Sequence, residues 1–148
     1  MTHQVLSSVA DTRALGAALA GLARPGDVIG LTGDLGAGKT ELARGFIQAL
    51  MAAEVPSPTF NLVLTYDTPK GTVWHFDLYR VERAAELREL GLEDAFDTGI
   101  SLVEWPDRMG RLWPDYGLMV TLASEGGTRR ATLAGGGDWA ERLKGLVG

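Results

Sequence analysis

Apolar positions recur along the chain in two periods, and each period predicts a different element. Between residues 12 and 23, Leu15, Ala18, Leu19 and Leu22 form a stripe at helical spacing, with Asp11 as the expected N-cap. Over 41–51, Leu42, Phe46 and Leu50 repeat that stripe, with Ala43 and Ile47 beside it. The short apolar runs at 28–32 and 100–103 read instead as buried strands, the first entered through the turn Arg24-Pro25-Gly26-Asp27. Residues 62–66 and 72–76 flank Asp67-Thr68-Pro69-Lys70-Gly71 as a β-hairpin, and 119–123 with 130–133 predict a second one. A short strand is expected at 4–9, and short helices at 84–90 and 92–96, parted by Gly91. A terminal helix is expected at 138–146, capped by Asp138. Two prolines make 54–59 a loop.

No internal repeat or long linker interrupts these elements, so one domain spanning 1–148 is expected. Strands and helices alternate with hairpins, which predicts an α/β domain whose sheet is mixed rather than purely parallel.

Between the strand at 28–32 and the helix at 41–51 lies the run Gly33-Asp34-Leu35-Gly36-Ala37-Gly38-Lys39-Thr40. It completes the pattern G-x-x-x-x-G-K-[ST], which arises by chance in a chain of this composition roughly 0.6% of the time. Glycines let backbone N–H groups turn inward around an anion, and the following helix adds the positive end of its dipole. Lys39 is suited to the β- and γ-phosphates, and the Thr40 hydroxyl to Mg²⁺. The expected fold is therefore P-loop NTPase-like, in three layers.

Hydrolysis also needs an acid that orients the metal and a group that positions the attacking water. Asp77 and Glu104 each follow an apolar strand, and either suits the acid's role. Glu104 has the cleaner placement, because four mostly apolar residues lead straight into it and Trp105-Pro106 end the strand. In Ser57-Pro58-Thr59, Thr59 is a candidate hydroxyl sensor of the γ-phosphate. His3 and His75 lack partners at metal-ligand spacing and read as packed or surface residues. Trp74 and Trp113 read as core; Trp105 does too by default, although its place beside Glu104 would let it cover a ligand.

Composition narrows the partners. The chain is 45% hydrophobic and 22% charged, and it contains no cysteine, which removes disulfides and thiolate metal sites. A net charge of −5 argues against tight, independent binding to nucleic acid. The arginines at 80, 83 and 88 and at 108 and 111 are interleaved with acids and read as solvated faces. No apolar run reaches the ~18–20 residues of a membrane span, and residues 1–6 lack the basic and apolar regions of a signal peptide, so a cytoplasmic location is expected.

Four blocks together resemble the TsaE (YjeE) family of bacterial ATPases that support tRNA threonylcarbamoyladenosine synthesis. They are the phosphate loop, Ser57-Pro58-Thr59-Phe60, His75-Phe76-Asp77-Leu78-Tyr79-Arg80 and Leu102-Val103-Glu104-Trp105-Pro106-Asp107. The resemblance implies an ATPase that acts with TsaB and TsaD and meets tRNA only through that complex. It implies Thr40 and Glu104 as magnesium contacts, and it adds weight to Asp77 and Thr59 as catalytic or switch residues. By analogy it brings Thr12 and Arg130 near the base or ribose. Glu41 departs from the second Thr that family members often carry after the Lys-Thr pair.

The expected activity is slow, partner-activated ATP hydrolysis, because the sequence shows no obvious arginine finger or water-positioning Gln. A small-metabolite kinase on the same fold is the alternative, although the short chain leaves little room for an acceptor site and lid. A GTPase is disfavoured: the single asparagine, Asn61, precedes Leu-Val-Leu rather than forming a guanine-reading Asn-Lys-x-Asp motif.

Overall fold

Seven strands form one sheet in the computed structural model, which describes every residue except Leu35, Val147 and Gly148. The strands are β1 (Thr2–Leu6), β2 (Val28–Thr32), β3 (Val63–Thr68), β4 (Gly71–Asp77), β5 (Ile100–Glu104), β6 (Leu118–Glu125) and β7 (Thr128–Gly135), in the spatial order β1-β7-β6-β2-β5-β4-β3. Central β2 runs parallel to β5 and β6, and β4 parallel to β5; the β1–β7, β6–β7 and β3–β4 pairs are antiparallel. The sheet is mixed, as expected, and contains both hairpins.

Helices cover both faces. On one side α1 (Val9–Leu22) and α2 (Lys39–Leu50) bury Leu15, Leu19, Leu42 and Phe46 against Ile29, Leu31, Leu102 and Val120. On the other, α3 (Ala84–Glu89), α4 (Leu92–Thr98) and the 3₁₀ turns of Pro106–Leu112 pack Leu87, Leu92 and Met109 on Val28, Phe76 and Val103. Successive β2 residues thus alternate between two cores, which explains why the strand reads as an unbroken apolar run. α1 and α2 approach so closely that a Cβ on Gly16 would lie 2.1 Å from the Leu42 carbonyl oxygen.

Several boundaries differ from expectation, each for a local reason. α1 begins at Val9 and its N-cap is Ser8, not Asp11: Ser8 Oγ accepts from the Asp11 N–H (3.1 Å), while the Asp11 carboxylate accepts from the Ser7 N–H (2.8 Å). This reciprocal box places Asp11 in the first turn and ends β1 at Leu6. β6 and β7 extend to a tight Gly126-Gly127 turn, with φ of 49° and 87°, which matches the twist of a hairpin. The terminal segment is one α-turn, α5 (Trp139–Arg142), followed by a 3₁₀ turn at Leu143–Leu146. Asp138 precedes α5 without a side-chain cap, because Arg142 and Arg24 take its carboxylate.

Candidate functional site

The loop between β2 and α2 opens at the C-terminal ends of the parallel strands, where open α/β sheets bind ligands. Gly38 precedes α2 with φ of 106°, and a Cβ there would meet the Arg129 guanidinium at 3.2 Å and Thr12 Cγ2 at 3.5 Å. A side chain at Gly33 (φ 145°) would lie 2.5 Å from the Leu122 carbonyl oxygen. Bare backbone is needed at both positions. Leu35 lies outside the described residues.

Lys39 is buried at the first position of α2. Its Nζ donates to the carbonyls of Gly33 and Asp34 and sits 3.9 Å from the centre of the Trp105 ring. Burial holds the Lys39 pKa below the usual lysine range despite the nearby carboxylates of Glu104, Asp77, Asp34 and Asp107. An anion in the loop therefore gains the attraction of a cation with few water contacts to lose.

Glu104 ends β5 and is buried. The Thr40 hydroxyl donates to it, at 3.1 Å from Oε1 and 3.2 Å from Oε2, and His75 Nε2 stands 2.6 Å from Oε2. Asp77 is Glu104's register partner on β4. Its Oδ2 accepts from Thr59 Oγ1 (3.3 Å) and its Oδ1 from the Tyr79 N–H (3.1 Å). The loop carrying Thr59 is tied down at both ends. Arg44 Nε donates to the Val55 carbonyl (2.6 Å), and an Arg80 guanidinium nitrogen donates to the Thr59 carbonyl (2.7 Å).

These groups border an open cleft of about 320 Å³ lined by Gly36, Gly38, Lys39, Thr40, Thr59, Asp77 and Glu104, with Trp105 and Arg129 at its sides. Thr59, Asp77 and Glu104 come from three separate segments, 18 and 27 positions apart in sequence, and meet only in the folded chain. Gly33, Asp34 and Ala37 belong to the loop but do not line the cleft. Thr12 is buried beneath the loop, its hydroxyl donating back to the Ser8 carbonyl at 3.3 Å. Arg130 turns away to Glu125 (3.1 Å); the arginine at the cleft is Arg129, which donates to the Gly36 carbonyl (2.8 Å). Strand alternation decides between these neighbours, because adjacent residues of β7 face opposite sides. Glu41 is held by Arg13 (2.7 Å) and Arg44. Burial alone would raise its pKa, but the Arg13 hydrogen bond and the charges of Arg44 and Arg13 hold it below the usual range.

A magnesium ion fits this donor set. Thr40's proton goes to Glu104, which leaves its oxygen lone pairs for a cation, and a carboxylate and a hydroxyl are the hard oxygens Mg²⁺ prefers. Among the described residues no three His, Cys, Asp or Glu side chains cluster as a metal cage.

Sequence alone does not single out Arg129, reads His75 as a packed or surface residue, and gives Trp105 to the core by default, with cover of a ligand as the other reading. His75 was legible in part: it shares the alternation of β4 with Asp77, two residues on. The Trp105 backbone adopts a left-handed φ of 62°, which lays the ring against Lys39 and Tyr79 while it still packs on the core beneath α3 and α4.

Comparison with known proteins identifies the family. A family model described as threonylcarbamoyl adenosine biosynthesis protein TsaE matches residues 6–132. A Rickettsia bellii protein named tRNA threonylcarbamoyladenosine biosynthesis protein TsaE is 39% identical over 123 residues, 82% of this chain and 85% of its own. A Bacillus subtilis protein of the same name is 37% identical over 122 residues, 81% of this chain and 76% of its own. The crystal structure of Bacillus subtilis YdiB superposes with a TM-score of 0.80 at 29% identity, covering 98% of this chain and 92% of that one. With this P-loop NTPase-like fold and a family match over most of its length, the chain belongs to the TsaE family, which takes part in tRNA threonylcarbamoyladenosine biosynthesis.

Proposed function

We propose that this protein binds Mg–ATP in the cleft and hydrolyses it in support of tRNA N6-threonylcarbamoyladenosine formation, acting with TsaB and TsaD. The observation that carries the reading is the Thr40–Glu104 hydrogen bond at the start of α2, which joins the phosphate loop to a strand-end carboxylate. The loop N–H groups and Lys39 would bind the phosphates, and Thr40 and Glu104 would hold the metal. Mg²⁺, when bound, would neutralise charge on the β- and γ-phosphate oxygens. Asp77, buried and hydrogen-bonded to Thr59, is the group to orient the attacking water, with Thr59 as the switch hydroxyl. Arg129, rather than Arg130, would cover the loop from the β7 side. Thr12 would support the loop from below. Water attacks the γ-phosphorus as the bond to the ADP oxygen breaks, leaving ADP and inorganic phosphate.

Association with tRNA would be indirect, consistent with the net charge of −5. Among the described residues no helix is long and apolar enough to cross a membrane. The test is ATP hydrolysis by the isolated protein and by its mixture with TsaB and TsaD. A low basal rate that rises in the mixture is expected, and equal rates would reject partner activation. Transfer of the γ-phosphate to a small metabolite would replace the reading with a kinase.

A further inference from the structure

His75 is wholly buried on β4, on the same sheet face as Glu104. Its Nε2 lies 2.6 Å from Glu104 Oε2. An ionised carboxylate only accepts hydrogen bonds, so Nε2 carries the proton and donates. The other ring nitrogen, Nδ1, is buried with no hydrogen-bond partner among the described residues. A side chain placed there for packing alone would be better as leucine or methionine, which leave no polar atom unsatisfied. The ring is imperfectly accommodated on one side and tightly bonded on the other, and the bonded side faces the cleft's carboxylate.

Two donors on separate elements act on that carboxylate: the Thr40 hydroxyl from α2 and His75 Nε2 from β4. Together they fix its tilt and its plane. An imidazole N–H does this from one ring atom, whereas the forked guanidinium of an arginine would cover both oxygens and compete with a cation for them. Fixed ligands need such partners, because a carboxylate free to rotate loses its alignment with the metal.

We propose that His75 is a positioning residue that holds Glu104 in the orientation in which it meets the nucleotide's magnesium. This rests on Glu104 being the metal contact. The test compares wild type, His75→Leu, His75→Gln and Glu104→Ala in binding of a fluorescent ATP analogue across a Mg²⁺ titration. Mg²⁺ dependence of hydrolysis and the melting temperature are measured on the same samples. His75→Leu should raise the Mg²⁺ concentration needed for half-maximal effect by about 10- to 100-fold. It should leave Mg²⁺-free nucleotide binding and the melting temperature near wild type. His75→Gln, whose amide N–H reaches close to the Nε2 position, should recover most of the loss.

If His75→Leu keeps the wild-type Mg²⁺ dependence while Glu104→Ala loses it, the positioning role is overturned and the Glu104 assignment stands. If Glu104→Ala also titrates as wild type, the metal contact itself is wrong, and the proposal falls with it. A lower melting temperature with unchanged Mg²⁺ dependence would make His75 a packing residue. Should His75→Leu fail to fold, His75→Met against His75→Gln makes the same comparison.

Discussion

The two ends of the sheet both carry buried carboxylates, and they handle them in opposite ways. At the N-terminal end of β2, Asp27 is bracketed by Arg142 (2.6 and 2.9 Å) and by the Arg24 N–H (2.7 Å). Arg142 also stacks 3.8 Å from the Trp139 ring and reaches Asp138, tying α5 to the sheet. The Asp27 hydrogen bond, stronger than the effect of burial, pushes the Arg142 pKa above its ordinary value. At the C-terminal ends, Glu104 and Asp77 meet the hydroxyls of Thr40 and Thr59, the His75 imidazole and a backbone N–H. Neither forms an ion pair with an arginine or lysine among the described residues. One end closes its charges against each other, which stabilises the fold. The other leaves acids and a lysine facing a cleft, where the proposed Mg–ATP would complete the balance. Buried charge alone does not mark a site; buried charge without a fixed counterion does.

The largest effect should come from the open end. Lys39→Ala is expected to lower ATP hydrolysis by about 10²- to 10³-fold. Because burial already disfavours the Lys39 charge, thermal stability should hold or rise. A loss of stability in this variant would erase the distinction between the two ends. Asp27→Asn should do the reverse. Leaving Arg142 with only the half-exposed Asp138 as an ionic partner should cost about 3 kcal/mol in urea unfolding, while nucleotide affinity stays at the wild-type value. The low end of the range for breaking a buried pair applies because both side chains keep some solvent contact, 11% and 9%.

The smallest effect is a pH dependence at the closed end. The Arg142 hydrogen bond, aided by the charges of Arg142 and Arg24, holds the Asp138 pKa below the ordinary aspartate value. An acid whose pKa falls on folding stabilises the protein above its unfolded pKa, near pH 4, and loses that contribution as pH drops through the folded value. Asp138→Asn should therefore flatten the acid limb of stability below about pH 4, leaving the neutral-pH rate of ATP hydrolysis unchanged. Chemical denaturation across a pH series measures it.

Elements with strong local signals were legible. The phosphate loop sits between a strand and a helix as its pattern requires, and β2 and β5 occupy the sheet centre. Boundaries set by competing side chains were not. Ser8 rather than Asp11 caps α1, and Asp138 is drawn off its helix by two arginines, one of them 114 residues away in sequence. The cleft residues Lys39, Thr40, Thr59, Asp77 and Glu104 were each identifiable from motif or strand-end position, and so was their candidacy for phosphate and metal chemistry.

Pattern along the chain thus sufficed for ligand class, element order and the acids in play, because these depend on periodicity and on motifs whose residues are contiguous. Which arginine faces the loop, that Trp105 backs Lys39, and that His75 braces Glu104 depended on register between strands and on one left-handed residue. A shift of one position along β7 exchanges Arg129 for Arg130, and no local property of the sequence records that choice. Packing of the helices on the seven-stranded sheet records it.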